Sequence, residues 1–258
     1  MSADSREQDN DVGKKVFFVA PNSVVQKEMM ADLVHQEYEV HLVPDVTKAK
    51  TLFAKYPDCI AFLNIDDGLS EEGWEAFIRE VQADPVLQRV RLGILTYNSD
   101  PELAKKYLME YRVPCGFIKL TLNRGESTAI VLKVLEANEA RGRRRYLRIQ
   151  CRENTRLNFR DAWGLIEGRV IDISSVGMAC VLDPDKAWAK HSVIESIQLK
   201  LNATVCMVNG IVMGSRRLER QENLYVVLFD PKTAQAQRDK IRNYIQWSLQ
   251  TAIDADLA

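Results

Sequence analysis

Arg141-Gly142-Arg143-Arg144-Arg145-Tyr146-Leu147-Arg148 divides the chain into two patterns. Upstream, short apolar runs alternate with segments of helical period. Val16-Phe17-Phe18-Val19-Ala20 is an apolar run stopped by Pro21-Asn22, as expected of a buried strand. Ser23 is placed to cap a helix running through Val24, Met29, Met30 and Leu33. The alternation continues with strands predicted over 39–43, 59–65, 92–96 and 116–119, and helices over 48–55, 72–82, 101–110 and 127–140. Five strand–helix units between residues 14 and 140 predict an α/β (βα)5 parallel sheet covered on both faces.

Downstream the period changes. Ile197, Leu199 and Leu201 alternate with Gln198 and Lys200, which marks a half-buried strand. Asn209-Gly210 and Gly214-Ser215 read as turn or bulge signals. Tyr225 to Phe229 is an apolar strand stopped by Asp230-Pro231. Ile241, Tyr244, Ile245 and Leu249 then recur at helical spacing. This half predicts a small antiparallel β-barrel with a C-terminal helix. The expected organisation is a disordered tail over 1–13, an α/β domain over 14–140, an arginine-rich linker over 141–148, a β-barrel with terminal helix over 149–250, and a tail over 251–258.

Composition narrows the function. The 258 residues are 46% apolar and 28% charged, with a formal net charge of −1. No run of 18 apolar residues exists, so no membrane span is expected. The polar start of the chain does not read as a secretory signal. Cys59, Cys115, Cys151, Cys180 and Cys206 form no CxxC pair, and His35, His41 and His191 no close-set pattern, so no metal site is expected. Reduced thiols fit a cytoplasmic protein. Neither GxxxxGK[ST] nor GxGxxG occurs. No histidine has a placeable partnership with Ser174 or Ser175, so no catalytic residue is expected and the protein reads as a non-enzyme. Trp163, Trp188 and Trp247 read as core or edge packing.

The charge is unevenly spread. Residues 141–160 hold eight arginines and one acid, Glu153, a net +7, which leaves −8 for the rest. A long polyanion is therefore a poor partner. Of the eight, Arg152, Arg156 and Arg160 read as an exposed strand face or loop.

The first half resembles the receiver domains of response regulators over about residues 14–140. In that family, clustered carboxylates at the strand ends hold Mg²⁺ and one Asp takes a phosphoryl group. Here Pro21-Asn22 stands in place of the acidic pair, and Asn64 in place of the acceptor. An amide is no nucleophile. Thr96 and Lys119 do match the family's Thr/Ser and Lys. The resemblance therefore implies a pseudo-receiver, a scaffold or surface for an unidentified protein partner. Asp66 or Asp67 as a shifted acceptor, in a phosphorylation-responsive regulator, is the alternative.

Arg144 and Arg148 form an RxxxR spacing preceded by Arg143, and 24 residues beyond Arg148 stands Asp172-Ile173-Ser174-Ser175-Val176-Gly177, or DxSxxG. In this order, opening a small β domain, the two resemble the PilZ family of cyclic di-GMP receptors over about residues 143–249. The residue types suit that ligand. Guanidinium forks pair with phosphate oxygens and with guanine O6 and N7. An ionised Asp172 accepts from the N–H groups of guanine's other edge. Alternation puts Asp172 and Ser174 on one strand face, and Gly177 reads as a position needing special backbone freedom or close ligand approach. The resemblance implies Arg143, Arg144, Arg148, Asp172, Ser174 and Gly177 as ligand-binding residues. An Arg before RxxxR implies two intercalated cyclic di-GMP molecules per chain. No cofactor is implied. The rival reading is an arginine-mediated nucleic-acid-binding module.

Overall fold

Each apolar run before residue 140 becomes a strand in the computed structural model of the chain: β1 (Val16–Val19), β2 (Val40–Val43), β3 (Ile60–Asn64), β4 (Arg91–Thr96) and β5 (Phe117–Lys119). The structure describes residues 13–22, 29–121, 123–218 and 222–257. The expected Ser23 cap and residues 1–12 of the expected tail lie outside them. Contacts divide the chain into two units, Met1–Arg145 with Leu249–Ala258, and Tyr146–Ser248.

The first unit is receiver-like. Its strands are parallel in the order β2-β1-β3-β4-β5, the order of the doubly wound folds whose ligand crevice lies at the carboxyl strand ends. Between them run α1 (Met30–His35), α2 (Ala49–Lys55), α3 (Glu71–Ala83), α4 (Pro101–Lys105) and α5 (Arg124–Ala137). Local chemistry sets several ends. The Ser70 hydroxyl accepts from the Gly73 N–H at 3.2 Å, with Glu71 and Glu72 in the first turn of α3. Asp100 caps α4 by accepting from the Glu102 N–H at 2.9 Å, and Pro101 follows it. The helix expected over 101–110 widens to a π-type turn over Lys106–Glu110, where Tyr107 is buried. Side chains alternate across the sheet into two cores. Phe17, Ala61, Leu63 and Ile94 join Trp74 and Phe77 on one face. Phe18, Ile60, Phe62 and Leu95 join Leu33 and Val131 on the other.

A charged group sits inside this unit. Glu39 is buried, its Oε1 lies 3.1 Å from His41 Nε2, and Lys15 donates to the same oxygen. Burial pulls the Glu39 carboxyl up, but His41 and Lys15 outweigh it and hold it below the usual range. Burial lowers the His41 pKa against the pull of Glu39. Both groups thus bind fewer protons folded than unfolded, so the unit's stability rises with pH. The His41 part is fully present above the unfolded histidine value, about 6.5, and is lost as pH falls below it, whereas the Glu39 part is lost only below the ordinary carboxylate range. Hydrogen exchange at β2 should accelerate between pH 7.5 and pH 5 beyond the intrinsic trend. His41→Phe should flatten the upper part of that change.

The second unit contains β6 (Arg148–Gln150), β7 (Arg156–Asp161), β8 (Gly164–Ser174), β9 (Gly177–Asp183), β10 (Val193–Leu201), β11 (Thr204–Arg217) and β12 (Asn223–Phe229). The order β8-β7-β10-β11-β12-β9 returns to β8 through a β8–β9 pairing, which closes a six-stranded antiparallel barrel. Strand β6 pairs with the far end of β8, beyond the stretch that β7 covers. Ile166, Val170, Ile173, Cys180, Leu199 and Val227 fill the interior.

Three expectations change. Asn209-Gly210 is no turn but mid-strand in β11; a Cβ on Gly210 would lie 2.5 Å from Val227 Cγ1, so tight packing explains the glycine. Register irregularities do accompany both signals: one in β10 between Ile194 and Ile197, opposite Asn209, and one in β11 between Val212 and Gly214. Trp163 does not pack: it stands 83% exposed at the β7–β8 turn, whereas Trp188 meets the Phe159 ring edge-on and Arg152 lies over Trp247. The terminal helix α6 (Gln235–Asp256) runs through most of the expected tail, because Ile253 is buried in a core of the first unit.

Candidate functional site

The strand ends of the receiver-like unit have been rebuilt for structure. Asn64 is buried, and its side-chain N–H donates to the Ala20 carbonyl at 2.7 Å. Asp66 accepts from the Thr96 hydroxyl through one oxygen and from the Tyr97 N–H at 2.7 Å through the other. Asp67 Oδ1 accepts from the Gly68 N–H at 2.7 Å. The carboxylate of Asp66 is thus a latch between two loops, and the Thr96 hydroxyl is committed to it. Treatment with acetyl phosphate is expected to leave the chain's mass unchanged. A gain of one phosphoryl group, lost in Asp66→Asn or Asp67→Asn, would reverse that reading.

The second unit gathers the motif residues that fall within it. Arg148 opens β6 and is the cross-strand partner of Ser174 on β8, while Gln150 is the partner of Asp172. Ile173 between them is fully buried, so Asp172 and Ser174 share the opposite face. A bulge in the β8–β9 register between Val170 and Asp172 immediately precedes the aspartate; bulges re-aim side chains next to sites. Arg148 Nη1 stands 3.5 Å from Asp172 Oδ1. The aspartate side chain is only 13% exposed, and its buried Oδ1 accepts no hydrogen bond. A buried carboxylate oxygen without a donor costs stability and is a strong acceptor for any N–H that reaches it.

Ser174 and Gly177 do different work. The Ser174 hydroxyl donates to the Gly177 carbonyl at 3.2 Å and accepts from the Val176 N–H at 3.4 Å, closing the β8–β9 turn. Gly177 does not adopt a left-handed backbone; a Cβ there would lie 2.6 Å from the Val227 carbonyl oxygen. It is needed for strand approach. Arg143 and Arg144 are exposed and lie on the segment before Tyr146, outside the second unit. Arg152, Arg156 and Arg160 are exposed as expected.

Two motifs related in the sequence only by spacing are therefore neighbours on paired strands. Residues 142–247 match the family model described as PilZ domain. This segment is a PilZ domain. Among solved structures, the chain is similar to the PilZ domain with c-di-GMP of YcgR from Escherichia coli, at 16% identity over 44% of this chain and 95% of that one, with a TM-score of 0.37. It is similar to the K. pneumonia MrkH–c-di-GMP complex at 20% identity over 45% of this chain and 55% of that one, with a TM-score of 0.36. A third is the phosphorylated cyanobacterial phytochrome response regulator RcpA, at 19% identity over 48% of this chain and 93% of that one, with a TM-score of 0.39. A comparison with curated protein sequences gave no match. Among the described residues no helix is long and apolar enough to cross a membrane.

Sequence reasoning missed Gln150, the residue opposite Asp172 in the PilZ domain, and Arg169, exposed on β8 three residues before it. Arg169 was signalled by period two, since Gly168 and Val170 on either side face inward.

Proposed function

We propose that the chain is a non-enzymatic cytoplasmic effector whose PilZ domain binds cyclic di-GMP. The observation that carries this is the Arg148–Asp172 pair, a fork donor beside a carboxylate oxygen that accepts no hydrogen bond. A guanine N–H supplies the missing donor, and a phosphate oxygen takes the guanidinium. Arg144 adds a second fork and Arg143 engages a second ligand molecule, giving two cyclic di-GMP per chain. Ser174 and Gly177 fix the turn that presents the strand to the ligand.

The output is an order–disorder change of residues 142–148. Without ligand, their like charges repel. With it, the phosphates neutralise them and clamp the segment against the strand bearing Asp172. Because the segment follows α5, its ordering changes how the receiver-like domain faces the barrel, and a protein that prefers one orientation binds with coupled affinity. The receiver-like domain supplies that partner surface. The +7 cluster serves a small dianion, since the −8 elsewhere opposes a long nucleic acid.

Titration calorimetry tests the binding, with two cyclic di-GMP expected per chain; one per chain would remove the role given to Arg143. Small-angle scattering with and without ligand tests the switch. Superimposable profiles would leave the binding reading intact and remove the rearrangement.

A further inference from the structure

On the barrel exterior, Arg169 of β8 lies directly opposite Arg156 of β7, and Arg156 opposite Lys200 of β10. All three are exposed. Adjacent strands are about 4.8 Å apart, so three cations stand in a row, and like charges placed opposite one another destabilise a sheet. Arg169 alone has a carboxylate partner: its Nη2 donates to Glu222 Oε2 at 2.9 Å and Oε1 at 3.1 Å. Arg156 donates only to the Glu153 carbonyl. Among the described residues neither Arg156 nor Lys200 pairs with an acid.

Arg156 and Arg169 of the row open on a cleft of about 660 Å³ that is also lined by Asn158 and by four acids, Glu167, Asp183, Asp185 and Glu222. One step along the strands, about 7 Å away at two residues of rise, a second row runs Asn158, Glu167, Asp183. Cationic forks and carboxylate acceptors thus lie side by side at a nucleotide's scale. Phosphate suits the first row, and the N–H edge of guanine the second. Arg169 precedes Asp172 by three residues, about 10 Å of strand. Beside that stretch the half-buried Ile171 and Leu218 pack against a buried cluster of Ala179, Val181 and Leu224.

The geometry points to an extended nucleotide site, anchored at Arg148 and Asp172 and continuing along β8 to a second phosphate position at Arg169 and Arg156. This rests on the reading of the PilZ domain as a cyclic di-GMP receptor. Glu222 is then a competitor, holding Arg169 until ligand phosphate displaces it.

The test is calorimetric titration of cyclic di-GMP into the full chain and the variants Arg156→Ala, Arg169→Ala, Glu222→Gln and Asp172→Ala, each checked for folding by circular dichroism. Arg156→Ala and Arg169→Ala should each weaken binding about tenfold, the scale of one lost charge-assisted contact. Glu222→Gln should tighten it severalfold, an outcome a merely structural role does not produce. If Arg156→Ala and Arg169→Ala bind like wild type while Asp172→Ala does not, the extension is wrong and the receptor reading stands. If the wild-type chain binds no cyclic di-GMP, both fail. Tighter binding in Glu222→Gln without loss in Arg156→Ala would overturn the place given to Arg156.

Discussion

Asp172→Ala is expected to weaken cyclic di-GMP binding about ten- to hundredfold, the loss of ~1.5–3 kcal/mol that follows removal of a charged hydrogen-bond partner. The same substitution should leave the thermal midpoint unchanged or raise it. Asp172 is 13% exposed, and its Oδ1 accepts no hydrogen bond; such an oxygen costs the folded state about 1–3 kcal/mol. Among the described residues its charged partner is Arg148, which stands at 3.5 Å and is 40% exposed, so little pairing energy is lost with it. Arg148→Ala should lose comparable affinity but with the opposite sign in stability. It removes the cation 3.5 Å from a mostly buried carboxylate, so the midpoint should fall, and only modestly because Arg148 is 40% exposed. Affinity and stability thus part company at Asp172 and move together at Arg148. Calorimetric titration and thermal unfolding of both variants decide the matter. A falling midpoint in Asp172→Ala, in step with lost binding, would mean that the aspartate holds the barrel together and its role in the ligand site is wrong.

That contrast bears on how much of the protein its sequence discloses. Local periodicity was enough for the α/β half, since each buried strand such as Val16–Val19 is an uninterrupted apolar run. The barrel was legible as a class, and Arg148, Asp172, Ser174 and Gly177 were legible as a motif. What the residues did cannot be read locally. Gly177 suggested an unusual backbone, but its requirement comes from the Val227 carbonyl of a strand 50 residues away. The Ser174 hydroxyl also closes a turn, a role that its place in the motif does not announce. The pairing of β6 with β8 joins segments 24 residues apart and depends on register, which period alone does not fix. Asn209-Gly210 carries a hairpin signal inside a 14-residue strand, because close packing on Val227 also demands glycine. The row Lys200, Arg156, Arg169 could not be found without knowing which strands are neighbours.

The C-terminal residues are the sharpest case. Thr251-Ala252-Ile253-Asp254-Ala255-Asp256-Leu257 has two large apolar side chains and reads as a tail. In the folded chain Ile253 is 2% exposed within a core of the receiver-like unit, and Leu257 packs against the same cluster. The Gln250 side chain meets the edge of the sheet with both of its groups. Its Oε1 accepts from the Leu42 N–H at 2.9 Å, and its Nε2 donates to the Leu42 carbonyl at 3.0 Å. Asp256 accepts from the Tyr56 hydroxyl at 2.6 Å and from Lys55. The segment thus covers an edge strand that would otherwise present unpaired main-chain groups. Ile253→Ala should cost the first unit ~2–5 kcal/mol, a large share of a domain stability of about 5–15 kcal/mol. Deleting 249–258 should cost more, since Gln250 and Asp256 go with it. Hydrogen exchange at β1 and β2 should accelerate strongly in both variants. Cyclic di-GMP binding should persist, because Ile241, Tyr244 and Ile245 keep the earlier part of α6 buried in the second unit. Unchanged exchange at β2 after the deletion would return the segment to the status of a tail.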